Sequence, residues 1–316
     1  MKERIRVGIS SCLLGEKVRY DGGHKLDRYL KDTLGRYVEW KAVCPEVEMG
    51  LSVPREAMRL SGNPDSPHLK TVHTGVDHTN QMLQWAEKKL VELQSENLCG
   101  FIFKSRSPSS GLKGVKVYGN TGIPVRTGIG IFAKAFINRF PLLPVEDDGR
   151  LHDPTLRENF IERIFVYKRW QDLIKEGGLP GAIVSFHTEH KFLILSHSPA
   201  HYTELGRLVA NSGKYKLEEL HMEYLGILTA ALRLIATVKK HTNVLQHISG
   251  YLKKFLSADE KQELSEIISD YYKGLIPLIV PITILNHYVR KYNEQYLRRQ
   301  YYLKPHPLEL MLRNHV

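Results

Sequence analysis

With 316 residues, 42% hydrophobic and 25% charged, the chain has the make-up of a globular protein of about two domains, each long enough to bury a core. Three cysteines are too few for a disulfide framework, and no apolar run is long enough to span a bilayer; the best, "LIPLIVPITIL", is short and broken by two prolines. The formal charge is +11, and residues 101–145 hold seven cations (Lys104, Arg106, Lys113, Lys116, Arg126, Lys134, Arg139) and no acid. That stretch reads either as a solvated basic face or as a surface for a polyanion, most simply RNA.

The start, "MKERIRV", leads straight into a strand pattern with no apolar leader or cleavage site, so a cytoplasmic protein without a membrane partner is expected. Residues 4–9 alternate as a strand, and 37–43, 100–103 and 115–118 read as three more. Between them, Met82, Ala86, Leu90 and Leu93 recur at helical spacing, with Thr79 as the expected N-cap. "GIGIFAKAFINRF" reads as a glycine turn opening a helix that stops before Pro141. Strands alternating with helices predict an α/β unit over 1–145, with a mostly parallel, Rossmann-like sheet. The stretch 141–154, with three prolines, an acidic turn and a glycine, reads as the place of a linker, set at 146–154. Beyond it, 155–316 is expected to be mainly α-helical. The helix after the linker ends on paired glycines, the next opens on Pro180, and another carries Ser257 and Glu260 in capping-box spacing. The segment from Pro277 to Arg299 reads as one kinked, buried helix.

Ligands of an open parallel sheet bind beyond the carboxyl ends of its strands. Cys12 follows the first strand, Cys44 follows the second, and the loop Lys104–Gly111 follows the third, so all three should meet at one edge. Cys99 precedes its strand and belongs at the opposite edge, roughly 10 Å or more away. A lone cysteine is most often a small buried hydrophobe. Two at equivalent strand ends, one of them in Cys-Pro-Glu, suit zinc or an iron–sulfur cluster, and the lack of a Cys-x-x-Cys pair makes zinc the weaker choice. Glu46, two residues after its cysteine, is directed at the same place; otherwise it is a solvated loop carboxylate. Gly128 and Gly130, entering a helix inside the basic stretch, either cradle a phosphate or allow close packing.

Together "ISSCLLG", "RYDGG", "CPEVEMGLSVPRE" and "KSRSPSSG" resemble the 2-thiouracil desulfurase family, and "FHTEHKFLILSHSPAHYTELG" and "HTNVLQHISGYLKK" resemble the YbgA-like domain often fused to it. Members with this layout resemble desulfidases acting on 4-thiouridine in tRNA. The resemblance implies a 4Fe-4S cluster held by three cysteines, whose open iron binds the thiocarbonyl sulfur while water attacks the carbon. It further implies Cys12 and Cys44 as ligands, Glu46 as general acid/base, Ser107 orienting the base or the water, and Arg19, Tyr20, Asp21 and Lys104 around the pocket. The family pattern Ser-Pro-Ser-Cys-Gly is departed from at Ser110, where the third thiolate would stand. A hydroxyl is far less acidic than a thiol and a poorer iron ligand. Ser110 or a water could cap that corner, Cys99 could be recruited against the strand geometry, or the cluster could be lost. Three functions therefore stand open: a tRNA desulfidase, a cluster-less RNA-binding relative, and a desulfurase of free thiobases.

Ten of fifteen histidines lie in the second half. "HTEHK" lacks the i,i+4 spacing of a metalloprotease helix, and satisfied or surface histidines are the better reading. Lys191, Lys239, Lys240, Arg290, Lys291, Arg298 and Arg299, of which the last four are interleaved with tyrosines near the C-terminus, form either a charged helix face over core rings or a surface for RNA.

Overall fold

Strand Ile5–Ser10 (β1) is buried at every residue but Arg6, as a strand covered on both faces must be. The computed structural model describes residues 4–119 and 123–315, and the chain divides between His152 and Asp153 into two units. In the first unit β1 is followed by β2 (Val38–Val43), β3 (Met58–Ser61), β4 (His68–Thr71), β5 (Gly100–Phe103), β6 (Val115–Tyr118), β7 (Pro124–Gly128) and β8 (Val145–Asp147). One sheet runs β2-β1-β5-β8 with every pairing parallel. A second runs β4-β3-β6-β7, where β3 and β6 are parallel and the outer pairs antiparallel.

Two expectations are corrected here. The strand at 115–118 belongs to the second sheet, and the fourth strand of the first comes from Val145–Asp147, which runs into the stretch set as a linker. The acidic residues that suggested a solvated turn, Glu146, Asp147 and Asp148, are buried because β8 lies against β5.

Helix α1 (Pro45–Glu48) is a single turn, α2 spans Thr79–Ser95 and α3 spans Ile131–Arg139. The stripe Met82, Ala86, Leu90 and Leu93 is buried as expected. Thr79, however, is the first helical residue; His78 precedes it as the cap, and the Thr79 hydroxyl accepts instead from the Leu69 N–H of β4 at 2.8 Å. Rings of Phe101 and Phe103 on β5 pack on Phe132 and Phe136 of α3, with Phe101 4.7 Å from Phe136 and Phe103 5.3 Å from it. Burying four such rings contributes about 1.5–3 kcal/mol each and fixes α3, hence whatever its N-terminus holds.

The second unit holds α4 (Pro154–Lys175), α5 (Pro180–His197), α6 (Pro199–Ala210), α7 (Leu217–Arg233), α8 (Val238–Leu252), α9 (Ala258–Tyr272), α10 (Ile279–Lys291) and α11 (Gln295–Arg298). Helix α5 is apolar nearly all round and sits against α6, α7 and α8, which makes it the central helix. The Ser257–Glu260 capping box forms. The segment read as one kinked helix is two, α10 and α11, parted where Asn293 takes a left-handed φ of 53°. No described helix is long and apolar enough to cross a membrane.

The histidines of "HTEHK" are core residues. His187 meets the Tyr224 hydroxyl at 3.2 Å and His190 the Phe186 carbonyl at 2.8 Å; burial pushes His187 down to about 4. Of the seven cations considered for RNA, Lys240 caps the carbonyls of His197 and Ile235, Lys291 pairs with Glu260, and Arg299 pairs with Glu189.

Candidate active site

A cavity of about 420 Å³ opens at the carboxyl edge of the parallel sheet, lined among others by Cys12, Arg19, Tyr20, Cys44, Glu46, Lys104, Ser107 and Ser110. The three strand-end loops therefore meet as the topology requires. Cys12 follows β1 in a 3-10 turn (Ser11–Leu14). Cys44 follows β2 and caps α1, whose entry is set by proline at its first position and by Glu48, which accepts from the Cys44 N–H at 2.9 Å. Cys99 sits at the other edge, its N–H on the Arg6 carbonyl at 2.8 Å, and takes no part in this cavity.

Burial pushes the Cys12 thiol up to about 11, Lys104 pulling against it and Cys44 adding to it; burial raises the Cys44 thiol as well. Such thiols are poor nucleophiles without a cation and become ligands only when a metal displaces the proton. The folded value lies above the unfolded one, so the stability contributed by the protonated thiol is full below about pH 8.5 and lost as pH rises through about 11. In metal-free protein, iodoacetamide should alkylate Cys12 about tenfold faster for each pH unit between 8 and 10. A rate already flat at pH 8, followed by peptide mass spectrometry, would show a thiolate that this geometry does not stabilise.

Glu46 is fixed on both carboxylate oxygens. Oε2 receives Arg55 Nε at 3.0 Å and a second, shorter contact from Nη2, while Oε1 accepts from the Ser109 hydroxyl at 2.9 Å. Arg55 is almost wholly buried and also donates to the Val18 carbonyl at 3.0 Å and the Ser52 carbonyl at 3.3 Å. It thereby ties the loop carrying Arg19 and Tyr20 to the carboxylate. Neither Arg55 nor Ser109 stands out in the sequence as a site residue, although Arg55 lies inside "SVPRE" and Ser109 inside "SPSSG".

The loop from Ser107 to Gly111 is held from two sides. The Ser107 hydroxyl oxygen accepts from the N–H groups of Ser109 and Ser110 at 3.3 and 3.2 Å, a side-chain turn that fixes the loop. Helix α3 then places the N–H of Phe132 on the Ser109 carbonyl at 2.9 Å and that of Ile131 on the Pro108 carbonyl at 3.2 Å. A Cβ on Gly130 would lie 2.5 Å from the Ser109 carbonyl and 2.6 Å from the Ser110 nitrogen, and one on Gly128 would lie 2.5 Å from Val117. Of the two readings of Gly128 and Gly130, close packing holds and the phosphate cradle is corrected: the Gly130 N–H is taken by the Gly111 carbonyl at 2.8 Å, Gly130 permits the close approach of the Ser109–Ser110 backbone, and Gly128 permits that of β6.

Lys104 binds Asp148 at 2.7 Å and the Ser105 hydroxyl at 2.9 Å. Burial alone would raise the Asp148 carboxyl, but the Lys104 and Ser105 bonds win and hold it below the ordinary range. Arg19 lies 3.3 Å from Asp21 and over the Tyr20 ring at 5.4 Å. Asp21 is outside the cavity wall and reaches the site only through its ion pair with Arg19.

Cys44 Sγ meets the Val18 carbonyl at 3.9 Å and the N–H groups of Glu46 and Val47 at the start of α1, while the buried Ser110 hydroxyl meets only the Ser109 hydroxyl, at 3.4 Å, among the described residues. Two thiols and one weakly bonded hydroxyl around a single cavity are a donor set that fits an iron–sulfur cluster with one weak corner.

A family model described as 2-thiouracil desulfurase matches residues 7–148, and one described as a protein of unknown function (DUF1722) matches residues 191–307. The uncharacterized protein YbgA of Escherichia coli (strain K12) is 31% identical over 153 residues, 48% of this chain and 90% of YbgA. The uncharacterized protein YbbK of Bacillus subtilis (strain 168) is 33% identical over 110 residues, 33% of this chain and 71% of YbbK. A solved structure titled as the 4Fe-4S-dependent thiouracil desulfidase TudS is 33% identical, covers 48% of this chain and 95% of that chain, and has a TM-score of 0.38. With a desulfurase match ending at Asp148 and a DUF1722 match lying within the helical unit, the chain joins a 2-thiouracil desulfurase domain to a half that belongs to the YbgA family.

Proposed function

We propose that the first unit removes sulfur from thiolated uracil, that its substrate is 4-thiouridine in tRNA in the cytoplasm, and that the helical unit holds the RNA. The observation that carries this reading is Glu46, held by Arg55 and Ser109 on the wall of the cavity that Cys12, Cys44 and Ser110 also line. Cys12, Cys44 and Ser110 would hold the cluster, which when bound supplies a Lewis-acidic iron for the thiocarbonyl sulfur.

Glu46 takes a proton from the water that attacks the ring carbon and returns it as sulfur leaves. The C=S bond and water become C=O and hydrogen sulfide, with no electron gained or lost. Arg55 and Ser109 keep the carboxylate aimed, and Ser107 acts by shaping the loop. Arg106, Lys113, Lys116 and Arg126 are exposed and supply phosphate attraction in the acid-free stretch.

The test is anaerobic reconstitution with iron and sulfide, followed by sulfide release from thiolated tRNA, free 4-thiouridine and 2-thiouracil. Bound iron, release from tRNA and RNA affinity falling steeply with salt are expected. Release from free bases alone removes RNA from the proposal. Retained RNA binding without iron makes the chain a cluster-less relative.

A further inference from the structure

Helix α4 turns Glu158 and Glu162, one turn apart, into the interior of the helical unit, where their exposures are 8% and 2%. His306, 7% exposed, offers a ring nitrogen that lies within 4.8 Å of one oxygen from each carboxylate. Its Nδ1 faces the Pro307 carbonyl at 3.1 Å; its Nε2 has no partner among the described residues. A desolvated ring nitrogen without a partner is a net cost to the fold.

Arg313 explains part of the cluster. It donates to Oε1 of Glu158 at 3.0 Å and to Oε1 of Glu162 at 2.7 Å, and His197 holds Oε2 of Glu162 at 3.1 Å. Oε2 of Glu158 is left with His315 at 3.6 Å. A network built only to bury Arg313 needs no third donor, yet His306 supplies one with its free nitrogen desolvated. A cavity of about 330 Å³ reaches Glu158 and Glu162 past His241, Tyr271 and His315, so small solutes have a way in.

We propose that the helical unit binds a divalent metal ion at Glu158, Glu162 and His306, with His197 and Arg313 orienting the carboxylates from outside. One imidazole and two carboxylates form a nitrogen–oxygen set suited to zinc, manganese or ferrous iron rather than to a thiophilic ion. The site stands apart from the sulfur chemistry and requires no cluster.

The test uses the full chain with Cys12→Ser and Cys44→Ser, so that no thiol pair competes, titrated with cobalt(II). One cobalt per chain is expected, with visible ligand-field bands and no thiolate charge-transfer band. His306→Gln and Glu158→Gln in that background should each weaken binding about tenfold or more. Both variants keep side-chain size, and their melting curves report whether the fold survives. Zinc should raise the melting temperature of the parent and not of folded His306→Gln. No cobalt in the parent, or binding that is indifferent to His306→Gln, overturns the proposal.

Discussion

Glu46→Gln is expected to slow sulfide release about a hundredfold or more while the thiobase still binds. The loss of a positioned general acid/base removes 10²–10⁴-fold as a rule, and glutamine keeps the shape and an acceptor for the Ser109 hydroxyl. What it cannot do is carry the proton between water and departing sulfur. The substitution also strips Arg55 of its counter-charge, and leaving a buried guanidinium unpaired costs about 3–5 kcal/mol where nothing else satisfies it. Here the carbonyls of Val18 and Ser52 still accept from Arg55, so the cost should fall below that range. A melting curve beside single-turnover sulfide release separates the two effects. A folded variant working within threefold of the parent would move the proton chemistry elsewhere, and the Ser107–Ser110 hydroxyls would be the next place to look.

The path to Glu46 shows what the sequence makes visible. Cys12, Cys44 and Lys104 were legible because a parallel sheet sends every strand end to one edge, and the strands were readable from their apolar runs. The same logic placed Cys99 at the opposite edge while leaving its recruitment open, and its N–H on the Arg6 carbonyl agrees with that placement. Arg55 and Ser109 were not legible as site residues, because their roles arise from contacts across 9 and 63 positions of chain that no periodicity encodes. Gly128 and Gly130 show the converse fault. Glycines entering a helix suit a phosphate as well as a close backbone contact, and only the Ser109 and Pro108 carbonyls on α3 decide between them. The acids at 146–148 misled for a related reason: composition reads them as solvated, whereas pairing of β8 with β5 and the Lys104–Asp148 bond bury them. Glu158 and Glu162 were equally invisible, as acids on a helix usually face water.

Ser110→Cys is expected to raise bound iron toward about four per chain and to prolong retention of that iron against a chelator about tenfold or more. The parent supplies two thiolates and a hydroxyl, and oxygen from a serine holds iron less firmly than sulfur does. The loop can present the new thiol without rearranging. Its backbone is pinned by the Ser107 hydroxyl and by the N–H groups of α3, and the side chain at 110 already lines the cavity. Ser109→Cys is the control, because that side chain is directed at Glu46 and should add a thiol without adding a corner. Equal iron in parent and Ser110→Cys would mean that the hydroxyl, or a water in its place, completes the site as well as sulfur can. Iron only in Ser110→Cys would mean that the natural chain keeps the pocket, the carboxylate and the basic stretch but has given up the metal that the proposed chemistry needs. The one residue at position 110 then decides between a desulfidase and a protein that only binds what a desulfidase would have cut.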